Sequence, residues 1–366
     1  MVSMLEKSKK TSFEKVTIKE IAELAGVSRT TVSRVLSGGA FVNKNTRDKI
    51  LKIIEEKEYK PSIIAQSLRT RRTRTIGLVL ADIENPFYSR VAKGVIDASE
   101  AKKYNVILCN SNNDIKLEER DIRTLMERGV DGLLLTTVEL KMKTIEDLRD
   151  KGFPFLLIDC KLDIPGVNYV VNDDYYGAEL ATEYLIKLGH KKIFFLGNRK
   201  LLSLRERYRG FKDTLKRHNI EGSGNFVPKK FINMDNTYDI DGIIKYLVNG
   251  QENVTAIFAG NDYLAFKSIE AINNNSLKVP EDISVIGYDN IKISSMIKMP
   301  LTTIRQPKYL LGKLAAEQLL EILENKSDRE IRRVILRPEL VIRQSCKKIS
   351  NSQVRGKEVQ INQLLK

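Results

Sequence analysis

From Thr75 onward the chain alternates short apolar runs with amphipathic helical stretches, and this alternation restricts the fold more than any other feature. The runs are Ile76–Leu80, Val106–Cys109, Gly132–Leu135, Phe155–Asp159, Val167–Val171, Ile193–Gly197, Ala256–Ala259 and Ile283–Gly287. Helical patterns between them include Pro86–Lys103, Leu117–Arg128, Tyr176–Leu188, Arg207–His218 and Tyr263–Asn274. Continuous β-branched strands separated by helices indicate parallel sheets with both faces covered. So many βα units predict two sheets rather than one. No GxGxxG or GxxxxGK[ST] follows any of these strands, so a dinucleotide or P-loop site loses its main support.

The first 60 residues follow a different pattern. Thr17-Ile18-Lys19-Glu20 is a capping box. Ile18, Ile21, Ala22, Leu24 and Ala25 then give one short helix an apolar face. Gly26 stands where a turn needing positive φ favours glycine, and Ser28 can cap a second helix, Arg29 to Leu36, buried through Val32 and Val35. A third helix starts at Asn43 or Asn45, turns Ile50, Ile53 and Ile54 inward, and ends near Tyr59. Two short helices joined by a glycine-containing turn make a helix-turn-helix. The exposed positions of the second helix are Arg29, Thr30, Ser33 and Arg34. Arginine bonds guanine O6 and N7 in a bidentate way, and threonine contacts bases or phosphates.

Charge separates the same regions. The chain has 366 residues and a formal net charge of +15. Residues 1–75 hold 17 basic and 8 acidic residues, residues 347–366 hold 5 and 1, and the intervening body is nearly neutral at +2. A basic head on a neutral body is the footprint of a nucleic-acid binder. Three widely spaced cysteines, Cys109, Cys160 and Cys346, form neither a disulfide framework nor a CxxC metal site. With two histidines, His190 and His218, a histidine metal cluster is nearly excluded, and no cofactor or metal is expected. Met1 to Lys15 lacks the apolar stretch of a secretory signal, and no apolar run approaches a bilayer span. A cytoplasmic protein with no membrane partner is the expectation.

The run VTIKEIAELAGVSRTTVSRVLSGGAFVNKNTRDKILKIIEEKEYKPSIIAQSLRTRRTRTIGLVL, Val16 to Leu80, closely resembles the head of LacI/GalR-family transcription regulators. The resemblance continues through ADIENPFY at 81–88, LGHKKIFFLG at 188–197, RYRGF at 207–211, TAIFAGND at 255–262, VPEDISVIGYDN at 279–290 and PLTTIRQP at 300–307. It implies an all-α head and an α/β core of two Rossmann-like subdomains similar to periplasmic binding proteins, crossed three times by the chain, near Asn172, Thr302 and Val334. The expected divisions are an N-terminal extension 1–15, a head 16–60, a hinge 61–75, a core 76–346 and a disordered basic tail 347–366. Within the core, 76–172 with 303–333 would form one subdomain, and 173–302 with 334–346 the other.

By that resemblance the helix opening at Ser28 enters the major groove, with Arg29, Thr30 and Arg34 reading bases. Thr17, Ser28, Asn43, Thr46 and Tyr59 occupy family positions that mostly hold the phosphate backbone. Ser62 to Leu68 is too short for a stable isolated helix. The resemblance makes it a hinge helix that folds on DNA, with Leu68, beside Ala65, as a minor-groove wedge. Many relatives have Asn where this chain has Ser62. Asn85, Phe87 or Tyr88, Asp159, Arg207, Asn261 and Asp289 match effector-contact positions. Carboxylate, amide and guanidinium groups with an aromatic ring suit a polyol. Arg207 is read as opening a helix, Cys160 as a packed small residue and His190 as structural; Lys308 either favours an acidic effector or points to solvent. These residues together imply a homodimeric repressor of carbohydrate-use genes, not an enzyme, that binds pseudo-palindromic double-stranded operator DNA and a small sugar-like effector. The alternative is a global catabolite regulator gated by a phosphocarrier protein.

Overall fold

The computed structural model describes residues 16–36, 41–59, 72–136, 142–162, 164–197, 201–220, 239–249, 253–324 and 331–349. It separates into two compact units, residues 1–73 and 74–366. The extension 1–15 and the hinge positions Ser62, Ala65 and Leu68 lie outside the described residues.

Unit 1 is three helices, α1 (Ile18–Ala25), α2 (Arg29–Leu36) and α3 (Lys44–Glu56), around a core of Ile21, Ala22, Ala25, Val32, Val35 and Ile50. Thr17 caps α1 in a reciprocal box: its amide donates to Glu20 Oε2 at 2.7 Å, and its Oγ1 accepts from the Glu20 amide at 3.3 Å. Gly26 ends α1 at φ +69°, a left-handed conformation that side chains disfavour. Leu24, assigned to the apolar face, is instead 52% exposed, because Ile21 and Ala25 already fill the inward stripe of so short a helix.

Unit 2 contains two sheets. The first is wholly parallel, ordered β10-β5-β4-β3-β1-β2, from β1 (Thr75–Leu80), β2 (Asn105–Asn110), β3 (Gly132–Leu135), β4 (Phe155–Ile158), β5 (Tyr169–Asn172) and β10 (Arg333–Leu336). Side chains alternate across it. Ile76, Leu78 and Leu80 face α4 (Pro86–Ala101) and α11 (Lys308–Glu324), while Val79, Leu133 and Leu135 face α5 (Ile115–Glu127) and α6 (Met142–Asp150). Alternation in which both faces are apolar explains why these strands read as unbroken hydrophobic runs.

The second sheet is ordered β11-β9-β8-β7-β6, from β6 (Ile193–Leu196), β7 (Ala256–Ala259), β8 (Ser284–Asp289), β9 (Thr302–Arg305) and an antiparallel edge strand β11 (Glu339–Val341). Helices α7 (Asp174–Lys187) and α8 (Leu202–Arg217) cover one face, and α9 (Ile240–Asn249) with α10 (Asp262–Asn274) the other.

The chain passes between the lobes three times, first after Asn172. The other two crossings lie later than Thr302 and Val334. Thr302–Arg305 pairs with β8 in the second sheet, and Arg333–Leu336 pairs with β5 in the first. The passages therefore fall at Gln306-Pro307 and Arg337-Pro338. Strand pairing runs to the end of each apolar segment, which pattern alone does not reveal. Part of the presumed tail is also held in place: Lys347 donates its amide to Ser284 Oγ at 3.1 Å, and Ile349 donates to the Leu188 carbonyl at 2.9 Å.

Two predictions follow from this packing. Helices α4 and α11 approach through Gly94 and Gly312, where a Cβ would collide with the carbonyl oxygens of Tyr309 and Val91 respectively. Gly312→Ala should therefore lower stability by about 1–3 kcal/mol through overpacking, read as a lower urea midpoint; an unchanged midpoint contradicts the close approach.

His190 is buried, its Nδ1 3.0 Å from Thr255 Oγ1 and its Nε2 3.2 Å from the Lys347 carbonyl, and burial pushes its pKa down to about 4. Between about pH 6.5 and 4 the unfolded chain binds the proton first. This group's contribution should fall by up to about 3 kcal/mol as pH drops through that window. His190→Gln should abolish that part of the pH dependence in paired denaturation curves at about pH 7 and 5.

Candidate functional site

Two groups of residues stand out, one in each unit. In unit 1, Arg29, Thr30 and Arg34 project from α2 as exposed side chains, whereas Ser33 is half-buried. Ser28 Oγ accepts the Thr31 amide at 3.2 Å, and Asn43 Oδ1 accepts the Asn45 amide at 2.9 Å. Thr17, Ser28 and Asn43 thus mark the N-termini of all three helices, where amide groups and the helix dipole favour an anion. Thr46 is half-buried in the first turn of α3. Tyr59 packs partly on the small core, and burial pushes its hydroxyl pKa up.

In unit 2 a charged cluster is built from strand ends, helix starts and crossing segments. Arg207, only 4% exposed, donates from Nε to Asp174 Oδ1 at 2.7 Å and from Nη1 to the Gly260 carbonyl at 2.6 Å. Its Nη1 lies 3.8 Å from Asp289 Oδ1, and its Cζ lies 3.8 Å from the centroid of the Tyr288 ring. Arg207 does not open its helix: α8 begins at Leu202, so the side chain leaves from the second turn. Burial opposes its charge, but Asp174, Tyr288 and Asp289 together raise its pKa above the ordinary value.

Asp159 and Asp289 occupy matching places. Asp159 follows β4 at φ +57°, and Asp289 ends β8 at φ +113°. Non-glycine residues there store backbone strain, which the surroundings must hold. The crossing segments supply that hold. Asn172 Nδ2, at the first crossing, donates to Asp159 Oδ1 at 2.9 Å, and Gln306 Nε2, at the second, donates to Asp289 Oδ1. Among the described residues neither Asn172 Oδ1 nor Gln306 Oε1, both buried, has a hydrogen-bond partner. Burial raises the pKa of Asp159, and repulsion from Asp174 adds to it; burial likewise raises that of Asp289, with repulsion from Asp262. Tyr88 is half-buried at the same cluster, its phenol pKa raised by burial and by Asp159 and Asp289.

Not every expected residue joins this group. The Phe87 ring packs into the core of the first lobe, edge-on to Tyr88 with centroids 5.1 Å apart, because a residue one step along α4 faces the sheet. Asn85 caps α4 through the Phe87 amide at 3.0 Å, and Asn261 caps α10 through the Leu264 amide at 2.8 Å. Cys160 is buried in the first lobe. Lys308 does not point to solvent: its amine donates to the carbonyls of Asp289 and Asn290. Asp174, Gln306, Tyr288 and the amide of Asn172 were missed. The signal for Asp174 was an acidic pair, Asp173-Asp174, directly after the apolar strand Tyr169–Asn172. Among the described residues no group of His, Cys, Asp and Glu is arranged to hold a metal ion, and no helix is long and apolar enough to cross a membrane.

A helix-turn-helix unit joined in one chain to a two-lobed α/β core with a buried polar cluster defines a ligand-responsive regulator class. Residues 17–62 match the model of bacterial regulatory proteins of the lacI family, and residues 73–345 match that of periplasmic binding proteins and the sugar binding domain of the LacI family. The chain belongs to the LacI family. It is 36% identical over 336 residues to the HTH-type transcriptional repressor PurR of Aliivibrio fischeri, covering 90% of this chain and 98% of that one. It is 34% identical over 333 residues to the ribose operon repressor of Haemophilus influenzae, again covering 90% and 98%. The structure of the Lac repressor dimer bound to operator and the anti-inducer ONPF superposes with a TM-score of 0.80 at 26% identity, over 91% of this chain and all of that one.

The cluster generates a prediction of its own. Arg207→Met removes the cation from two buried carboxyls, Asp174 and Asp289, and should cost about 3–5 kcal/mol. A melting temperature within a degree or so of the parent would show that the guanidinium is not the organising charge.

Proposed function

We propose that the chain is a dimeric, sequence-specific DNA-binding repressor of carbohydrate-use genes, controlled by a sugar-like effector bound in the core cluster. It works as a cytoplasmic, non-catalytic switch. The observation that carries the reading is the exposed Arg29, Thr30 and Arg34 face of α2, presented by a helix whose neighbours' N-termini are all capped by hydroxyl or amide side chains. Arg29, Thr30 and Arg34 read base edges. Thr17, Ser28, Asn43, Thr46 and Tyr59 hold phosphates, with Ser33 alongside. Ser62, Ala65 and Leu68 form the DNA-ordered hinge. The names of the relatives, two of them repressors and one a repressor dimer on its operator, support this.

The effector contacts are Asp159, Arg207, Asp289 and Tyr88, joined by Asp174; Asn85 and Asn261 lie at the adjoining helix starts, and Phe87 supports Tyr88 from below. Asn172 and Gln306, on the crossing segments, each hold one cleft carboxyl. An effector that engages these carboxyls therefore acts on the segments about which the lobes move. Effector and operator affinities are then reciprocally coupled. A roughly 100-fold preference for one state supplies about 2.7 kcal/mol per site.

Selection from randomised palindromic duplexes, followed by gel shift, tests the reading. Enrichment of one sequence is expected, with log K falling against log salt at a slope near about −7 if a dimer covers about 8 phosphates. No enrichment, or a slope near zero, rejects it. Arg34→Ala should relax preference at one base position by about 1–3 kcal/mol while leaving the fold intact. A thermal-shift screen with sugars, sugar acids and sugar phosphates, then gel shift with each hit, identifies the effector.

A further inference from the structure

The turn that follows β8 is held from several elements at once. Asp289 and Asn290 are successive non-glycine residues at φ +113° and +49°, so the backbone is strained and its surroundings must keep it in place. The Asn290 amide donates to Thr303 Oγ1 at 3.3 Å, the Ile291 amide to Asp262 Oδ2 at 2.9 Å, and Arg343 Nη2 to Asn290 Oδ1 at 2.7 Å. Thr303, Asp262 and Arg343 all belong to the second lobe, on β9, on α10 and just after β11. The two carbonyls of the turn have a partner of another origin. Lys308 Nζ donates to the Asp289 carbonyl and, at 3.1 Å, to the Asn290 carbonyl. Lys308 is the first residue of α11, whose Leu311, Ala315 and Leu319 lie in the core of the first lobe with Ile76 and Leu78. The next residue anchors the same helical turn to the first lobe. The Tyr309 hydroxyl donates to Asp97 Oδ2 on α4 at 3.1 Å, and Arg90 Cζ lies 5.0 Å from the Tyr309 ring centroid.

We infer that Lys308 is a strap between the lobes: its ammonium fastens the first turn of α11 to the Asp289–Asn290 turn, so the lobes shift only when these bonds break or when α11 moves with the turn. This concerns how the lobes are joined, whatever ligand the cleft takes. An ammonium group has three donors and no acceptor, which suits two carbonyls offered by successive residues. Lys308 is half-buried, and a charged donor makes a stronger bond than a neutral one. Gln306 Nε2, two residues earlier, donates to Asp289 Oδ1, so the carboxyl and the carbonyl of one residue are both tied to the short stretch joining β9 to α11. β9 is itself paired with β8, Asp289 opposite Arg305, and up to that point the tie is internal to the second lobe. Lys308 carries it across. Through Tyr309 and Asp97 it reaches α4, which packs on α11 at Gly94 and Gly312, where a Cβ would collide with backbone carbonyls. Movement of the cleft turn is thus passed to a closely packed helix pair rather than absorbed by a slack connector.

Hydrogen exchange on the full-length protein, read by mass spectrometry, tests the strap with Lys308→Met, Lys308→Arg and the control Lys313→Met, whose residue pairs with Glu317 on the exposed side of α11. Lys308→Met keeps the aliphatic stem and removes the donors. It should speed exchange by at least about tenfold in peptides over residues 289–294. The same acceleration is expected over residues 172–176, where the Asp173 amide donates to the Leu336 carbonyl at 2.8 Å and joins the other two crossings. Lys308→Arg, which retains a charged donor, should stay within about threefold of the parent, as should Lys313→Met. Affinity for the duplex enriched from the randomised palindromic pool should change by at least about fivefold in Lys308→Met, with the melting temperature within a few degrees of the parent. Faster exchange confined to residues 289–294, with duplex affinity within about twofold, makes Lys308 a local support and overturns the inference. Unchanged exchange at both places overturns it as well. If no duplex is enriched, the repressor reading fails, and exchange at residues 172–176 alone decides the strap. Should Lys308→Met melt early, Lys308→Gln, shorter and uncharged, is held to the same criteria.

Discussion

A single buried guanidinium organises the core. Arg207 leaves the second turn of α8 and touches an acid at the start of α7, a carbonyl after β7 and an aromatic ring in β8. Each partner sits on a different element of the second lobe. A buried arginine cannot shed its charge, so its partners must remain in place or leave that charge uncompensated. The arrangement fixes where Asp289 emerges, and through Gln306 it reaches the segment that carries the chain back to the first lobe. Lys308 extends the same tie, since the first residue of α11 binds the backbone of the strand end it has just left.

Among its described residues the first lobe has no buried arginine of this kind, and it is held differently. Its Asp159 relies on Asn172, and its helices α4 and α11 close on each other through paired glycines. One lobe is thus fixed by apolar close packing and the other by apolar packing plus a charge network. The three crossings join them with few hydrogen bonds, two of which end on the very carboxyls that face the cleft. The crossing segments thus share hydrogen bonds with the charged cluster, so a change at either carboxyl bears directly on them.

Much of this was legible in the residues. The apolar runs gave the strands because parallel strands covered on both faces must be apolar throughout, and the helix-turn-helix showed itself through a capping box and a left-handed glycine. What failed was local and has physical causes. The crossings fell later than read because β9 and β10 keep their hydrogen bonds to the last paired residue, and no hydrophobic pattern marks that point. Arg207 looked like a helix start because the preceding turn, Leu202 to Glu206, has no capping side chain. Asp174 and Gln306 were overlooked because each lies just past a strand end, where sequence suggests a connector rather than a buried partner. Phe87 and Tyr88, adjacent on one helix, were left undecided between them. Rotation of about 100° per residue buries one ring in the core and leaves the other half-buried near Asp159 and Asp289.

Charge is handled in opposite ways by the two units. Among the described residues of the head most lysines and arginines, Arg29 and Arg34 among them, are exposed, so water screens them, their mutual repulsion costs little, and their effect on a polyanion depends on salt. The core is nearly neutral overall, yet it sets the carboxyls of Asp174 and Asp289 against one buried guanidinium, with the half-buried Asp159 nearby, where solvent screens them poorly. Ionic strength has little purchase on buried charges of this kind. The molecule thus separates its two electrostatic functions by burial. Nucleic-acid attraction belongs to a surface where many weak interactions add, whereas the core keeps its charges where each one needs a specific partner.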